Sequence, residues 1–255
     1  MALERLKLDG KVAIITGGAR GVGYGIANVL AEAGASVMLS ARTQADLDNA
    51  VGMITAAGGK AAALAGDVTS EADNRRLIDT TVRQFGRIDI LINNAGGAQP
   101  VPFMKETAEK FMRDFQFNVI SAFQLTQMAA PHMIAQGDGC VVNISSRSAQ
   151  VGGRGFTTYS VAKLGLERLT HMMAQELAPH IRVNAISLGT IMSDGLQRYL
   201  DSRPDVRENF YSKIPLGRVG ETADIGLAAL YLCSAGCYAT GTVIRIDGGI
   251  TGPIT

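Results

Sequence analysis

A chain of 255 residues, 47% of them hydrophobic, can bury a full core and fits one large α/β domain or two small ones. Basic and acidic residues nearly balance, 24 against 23, so no overall field favours nucleic acid or an anionic membrane. Tryptophan is absent and no basic run carries interleaved aromatics, which counts against a nucleic-acid partner.

Val12–Thr16 is a short apolar run of the kind shown by a strand buried on both faces. A glycine-rich turn follows, Thr16-Gly17-Gly18-Ala19-Arg20-Gly21-Val22-Gly23, and then a helical stretch that runs to Ala33 and stops at Gly34. Glycines let a backbone turn tightly and approach a diphosphate, while the helix behind offers free N–H groups and the positive end of its dipole. The spacing G-x-x-x-G-x-G differs from the G-x-G-x-x-G fingerprint. Its place between a first buried strand and a helix still makes it a dinucleotide-binding candidate.

Residues 36–40 read as the second strand, ending in Ala41-Arg42. An acidic residue here would hold both ribose hydroxyls of NAD. Ala41 offers no carboxylate, and Arg42 with Arg20 would bring two guanidinium groups to one ribose, which suits a 2′-phosphate. NADP(H) is therefore expected over NAD(H); the plain alternative is two solvated arginines.

Thr43 can cap the next helix, with Asp46 in its acidic first turn. An alanine-rich strand over 61–65, a helix over 69–85, a strand over 88–93, a long helix over 109–135 and a strand over 140–145 follow. The helix over 158–178 carries Leu166, Leu169, Met173 and Leu177 as a buried stripe, and Pro179 ends it. Strands over 181–186 and 243–247 complete the rhythm. Alternation of this kind predicts an α/β fold: a single doubly wound domain over 1–255, with a parallel sheet of about seven strands and helices on both faces. Residues 190–215, polar and without clear periodicity, are expected to form a substrate flap, the alternative being a disordered surface loop.

Cys140, Cys233 and Cys237 form no C-x-x-C pair, which predicts buried, reduced thiols and a reducing compartment. His132, His171 and His180 show no ligand spacing, so no metal site is expected. The N-terminal residues carry no apolar secretory core, and no apolar run is long enough to span a bilayer. A cytoplasmic protein without a membrane partner is the expectation.

The stretch Tyr159-Ser160-Val161-Ala162-Lys163 sets a phenol and an ammonium on one helix face. Alone, such a pair is an ordinary surface feature. Beside a cofactor crevice, it would be a tyrosine whose pKa is lowered by the neighbouring charge.

With these residues placed, the chain resembles the short-chain dehydrogenase/reductase family over essentially its whole length. The matching residues are Thr16-Gly17 with Gly21-Val22-Gly23, Asp67-Val68, Asn93-Asn94-Ala95-Gly96, Asn118, Ser146, Tyr159 and Lys163, with Ser146 thirteen residues before Tyr159 as in the family's motif. The resemblance implies a Rossmann-type domain with Asn118, Ser146, Tyr159 and Lys163 as a catalytic tetrad. It implies that Asp67 and Val68 flank the adenine and that Asn94, Ala95 and Gly96 support the cofactor. Lys163 and Tyr159 would meet the nicotinamide ribose, and Asn118 would hold a water that passes protons. Gly189, Ile191 and Ser193 would lie near the nicotinamide, and a homotetramer would be usual. One departure stands out: relatives usually have Pro-Gly where this chain has Leu188-Gly189, and Ser193 stands where a threonine often contacts the nicotinamide amide.

The implied reaction is NADP(H)-dependent interconversion of a secondary alcohol and a ketone, with Tyr159 as acid and base. Residues 97–103 and the Met- and Leu-bearing flap suggest a partly apolar pocket. A hydrophobic ketone or alcohol would fit it. The run from Asn93 to Phe103 resembles bacterial hydroxysteroid dehydrogenases, and a 3-oxoacyl thioester is the other candidate. The helix ends at 135–138 and 178–180 are not clearly basic, which counts against docking an acyl carrier protein. Arg147 and Arg154 could meet a substrate anion; solvation or pairing within an oligomer is the simpler expectation. The rival class is a catalytically silent NADP-binding sensor or scaffold, which would be expected to lack part of the tetrad.

Overall fold

The structure is a computed structural model that describes residues 2–203, 208, 210–250 and 252. Its strands are β1 Val12–Thr16, β2 Ser36–Ala41, β3 Lys60–Ala65, β4 Ile90–Asn93, β5 Gly139–Ser146, β6 Ile181–Leu188 and β7 Val243–Ile246. They form one sheet in the order β3-β2-β1-β4-β5-β6-β7, and every pairing is parallel. The chain starts at the middle of the sheet, winds outward to β3, returns to β4 and winds outward again. The carboxyl ends of β1 and β4 therefore flank the point where the winding reverses, which is where open α/β sheets leave a crevice.

Alternate residues of the central strands enter opposite cores, because side chains in a strand alternate faces. Ile14, Leu91 and Val141 pack on one side with α3 (Glu71–Phe85), α5 (Ser121–Gln136) and α6 (Thr157–Leu177). Ile15, Ile92 and Val142 pack on the other with α1 (Gly21–Glu32), α2 (Gln44–Ala56) and a helix over Thr222–Cys233. Burial on both faces is why these strands read as unbroken apolar runs. The stripe on α6 is seated as expected, with Leu166 and Met173 buried and Leu169 and Leu177 at the core's edge.

Several elements differ from the sequence expectation. Thr43 sits at the start of α2, but its hydroxyl makes no capping bond. The helix expected over 109–135 is α4 (Ala108–Phe115) and α5 joined by a wide π turn over Gln116–Ile120. The segment 190–215 is not irregular throughout. It holds α7 (Asp194–Ser202), capped by Ser193, whose hydroxyl accepts from the Leu196 N–H at 3.2 Å. Residues 204–207 and 209 of that segment lie outside the described residues. The helix α8 (Thr222–Cys233) was not anticipated. The one local signal for it is the reciprocal capping of Glu221 and Asp224. All three cysteines are free and buried. Among the described residues no helix is long and apolar enough to cross a membrane.

A charge cluster clamps the amino-terminal edge of the central strands. Asp89 is buried, accepts the Val12 N–H at 2.9 Å and the Arg87 guanidinium at 2.7 and 2.8 Å, and lies 3.3 Å from the Lys11 amine. Asp89→Ala leaves the Val12 N–H without its acceptor, so it is expected to cost about 2–3 kcal/mol in urea unfolding. An unmoved urea midpoint would contradict that role.

Candidate active site

The site is built on a knot at the switch point. The Thr16 hydroxyl accepts the N–H groups of Asn94 and Ala95, both at 3.0 Å, and the Asn94 amide donates back to the carbonyls of Thr16 at 2.9 Å and Gly17 at 3.2 Å. These bonds tie the glycine loop after β1 to the end of β4. Arg20 takes the extended backbone at the start of α1, and its side chain makes no cap bond. The first N–H groups of α1 thus keep their donors for an anion.

The loop opens on a crevice of about 400 Å³. Of the residues expected to bind the cofactor, Gly17, Arg20, Val22, Gly23, Ala41, Arg42, Asp67, Val68, Asn94, Ala95, Gly96, Tyr159 and Lys163 line it. Thr16 lies just beneath, fully buried. The crevice is lined as well by Ser40, Thr43, Asp46, Gly66, Phe117, Ile144, Ser145 and Leu188, which sequence reasoning had not assigned to it. Asp46 carried a signal only as a helix-start acid, and Leu188 only as a departure from the family pattern.

Gly21, Gly189, Ile191 and Ser193 do not line this crevice. Gly189 has a packing reason to be glycine: a Cβ there would lie 2.5 Å from Asp247 Cα, so its absence lets the ends of β6 and β7 close. Ile191 lines a separate cavity of about 570 Å³ with Arg245 and Asp247.

At the adenosine end, the Asp67 carboxylate accepts the N–H and hydroxyl of Thr69 at 2.9 and 2.8 Å. Those bonds, aided by the Arg42 charge, hold Asp67 below the usual carboxylate range. Among the described residues neither Arg20 nor Arg42 is in an ion pair.

At the other end, α6 presents Tyr159 in its first turn and Lys163 one turn later. Ser146, at the end of β5, lies beside the Tyr159 phenol, and its hydroxyl accepts the Ser148 N–H at 3.2 Å and donates to the Ser148 hydroxyl at 3.3 Å. Lys163 is buried, and its Nζ donates to the Ile144 carbonyl at 2.7 Å and lies 5.7 Å from the centre of the Tyr159 ring. Burial draws the amine down to about 8, opposed by the Glu167 charge. At pH 7 the charged form therefore still dominates by roughly ten to one.

The phenol does not follow the sequence expectation. Burial pushes Tyr159 above the ordinary tyrosine range, and the neighbouring Ser146 hydroxyl offsets this only in part. The Lys163 ammonium lies 5.7 Å from the ring centre and bonds a main-chain carbonyl, and burial is the larger influence on the phenol.

Asn118 lies in the π turn with its side chain fully engaged. Both amide N–H groups are used, donating to the carbonyls of Gly97 at 2.9 Å and Asp114 at 2.8 Å, while Oδ1 accepts the Gly97 N–H at 2.8 Å. It clamps the loop after β4 against the helix, so its amide has no donor left for a water. Gly96 is pressed between the two: a Cβ there would meet Asn118 Oδ1 at 2.8 Å and Lys163 Nζ at 2.9 Å. Arg147 is neither solvated nor turned to a substrate. It pairs with Asp247 at 3.0 Å and donates to the Ile250 carbonyl at 2.7 Å. Arg154 is exposed.

A glycine cradle at the switch point, a helix start behind it and a buried phenol and amine at its far end fit a nicotinamide dinucleotide, and define an α/β oxidoreductase of that class. Residues 17–251 match the family model described as Enoyl-(Acyl carrier protein) reductase. The chain is 39% identical over 255 residues to an uncharacterized oxidoreductase of Mycobacterium tuberculosis, covering 99% of this chain and 97% of that one. It is 38% identical over 248 residues to the 7α-hydroxysteroid dehydrogenase of Escherichia coli, covering 96% of each. A solved structure of 7α-hydroxysteroid dehydrogenase complexed with NADH and 7-oxo glycochenodeoxycholic acid superposes with a TM-score of 0.93 at 36% identity, over 99% of both chains. The chain belongs to the short-chain dehydrogenase/reductase family and is an oxidoreductase acting on CH–OH groups with a nicotinamide cofactor.

Proposed function

We propose that the protein interconverts a hydrophobic secondary alcohol and its ketone with NADP(H), using Tyr159 as the acid in reduction and the base in oxidation. The observation that carries this reading is the buried pair of Tyr159 and Lys163 at one end of the crevice, with Ser146 beside the phenol. When bound, the nicotinamide supplies or takes the hydride and, oxidised, adds positive charge beside the phenol. The glycine loop and the start of α1 hold the diphosphate. Lys163 has three donors and spends one on Ile144, which leaves two for the ribose hydroxyls. A phenol held protonated near neutrality is ready to donate in reduction. In oxidation, positive charge gathered around it draws the proton off. The Ser146 hydroxyl donates to the substrate oxygen as charge develops there.

NADP(H) is the cofactor favoured by Arg20 and Arg42, both on the crevice wall and in no ion pair among the described residues, with Ala41 offering no carboxylate. Asp46 shares that wall and opposes a second phosphate, so the two arginines must outweigh it. Arg42→Ala is expected to weaken NADPH binding about 10–100-fold, the worth of a charge-assisted contact, and to leave NADH nearly untouched. Fluorescence titration with both nucleotides checks this; equal weakening of both would contradict it.

The substrate class is a hydroxysteroid-like alcohol or ketone, supported by the name of the E. coli relative. A 3-oxoacyl thioester is the second candidate, in line with the description of the matching family model. Acyl carrier protein docking is disfavoured, since Asp138 at the end of α5 is acidic and pairs with Lys11 at 2.9 Å. The segment 190–215 with α7 would act as the flap. Exposed Met112, Phe123, Ile134, Leu164 and Met172 on α4, α5 and α6 support a homo-oligomer, a tetramer by family likeness. Free, buried thiols suit a reducing compartment such as the cytoplasm. A panel of steroids, acyl thioesters and sugars, followed by the fall in NADPH absorbance, tests the reading; no turnover with any ketone would overturn it.

A further inference from the structure

We propose that Glu167 is a positioning residue for this chemistry: its carboxylate keeps the buried ammonium of Lys163 charged and braces the segment that carries Ser146. The inference rests on the proposed role of Lys163.

Residues 163 and 167 share one face of α6, a single turn apart. They grip consecutive residues of β5. Lys163 donates to the Ile144 carbonyl, and the next residue, Ser145, donates its hydroxyl to Glu167 Oε1 at 2.7 Å. Gln150, in the turn that follows Ser146, donates its amide to both Glu167 oxygens at 2.7 and 2.6 Å. The Gln150 carbonyl in turn accepts the Ser187 hydroxyl of β6 at 3.2 Å. One carboxylate thus joins α6 to β5 at Ser145, to the turn beyond Ser146 at Gln150 and, through the Gln150 side chain, to β6.

The electrostatic half follows from what surrounds the amine. From α6 itself, Tyr159 and Glu167 are the ionisable neighbours. Ile144, Ser145 and Ser146 of β5, Asn94 to Gly96 of the adjoining loop and Asn118 of the π turn bring no charge. Arg147, just beyond β5, is tied to Asp247. A buried ammonium without a counter-charge gives up its proton. Among the described residues Glu167 is the charge that opposes this at Lys163.

The test is the pH at which NADPH affinity is half lost, read by nucleotide fluorescence, in the wild type and three variants. Wild-type affinity should fall as pH rises through the Lys163 titration. Glu167→Gln keeps the size and loses the charge, and should move that midpoint down by about one pH unit. Glu167→Ala should do the same and serves if the glutamine variant does not fold. Gln150→Ala loses the brace and keeps the charge; it should lower kcat with the midpoint nearly in place. A midpoint unmoved in the Glu167 variants, or moved as far by Gln150→Ala, would overturn the proposal. A flat wild-type profile would instead overturn the Lys163 assignment itself, and this role with it.

Discussion

Replacing Tyr159 with phenylalanine is expected to lower kcat by about 10²–10⁴-fold, the usual worth of a general acid or base. The ring stays and keeps its packing against Phe156, 6.2 Å away, so the crevice wall is preserved. The change removes the hydroxyl proposed to protonate the substrate oxygen and leaves the neighbouring Ser146 in place. Nucleotide affinity should change by no more than about tenfold, the worth of one neutral hydrogen bond. Turnover and affinity therefore separate in this variant. Near-normal turnover would show that the proton comes from elsewhere.

Lys163→Met should instead damage both. The amine donates to Ile144, and its remaining donors are the ones proposed for the ribose, so NADPH affinity is expected to drop about 10–100-fold. Burial already pushes the Tyr159 phenol up, and the variant takes away the ammonium that lies 5.7 Å from its ring. The proposed base in alcohol oxidation is the phenolate, which forms only as pH rises through that elevated pKa. The oxidation rate of the variant should consequently climb with pH past the point where the wild type has levelled off. Methionine also leaves the Ile144 carbonyl without its donor, so thermal unfolding must be followed alongside. A pH–rate profile identical to the wild type would contradict the role of the charge.

Much of this was legible in the residues because it is local. Strands buried on both faces produce unbroken apolar runs, as in Val12–Thr16, and even the alanine-rich β3 falls where alternation demands it. The glycine loop and the Tyr159–Lys163 pair are contiguous stretches, so spacing places one in the turn after β1 and the other on a single helix face, while their chemistry came from the family resemblance. What was hidden depends on distant parts of the chain. Arg147 meets Asp247 only because β5, β6 and β7 lie side by side. The clamp of Asn118 on Gly97 requires the π turn, which no periodicity announces. Helix α8 is apolar through much of its circumference, with Ile225, Ala229 and Leu232 buried while Leu227 and Tyr231 are exposed, so it shows no clean stripe. The direction of the Tyr159 shift is hidden from the sequence for the same reason. Its burial is a property of the folded crevice, and burial outweighs the neighbouring charge.

The most direct measurement is a crystal structure of the complex with oxidised nicotinamide nucleotide. The amine of Lys163 should lie within hydrogen-bond reach of the ribose hydroxyls while still holding the Ile144 carbonyl, with the Tyr159 hydroxyl open toward the substrate position. An amine turned away from both the ribose and the ring would contradict the account.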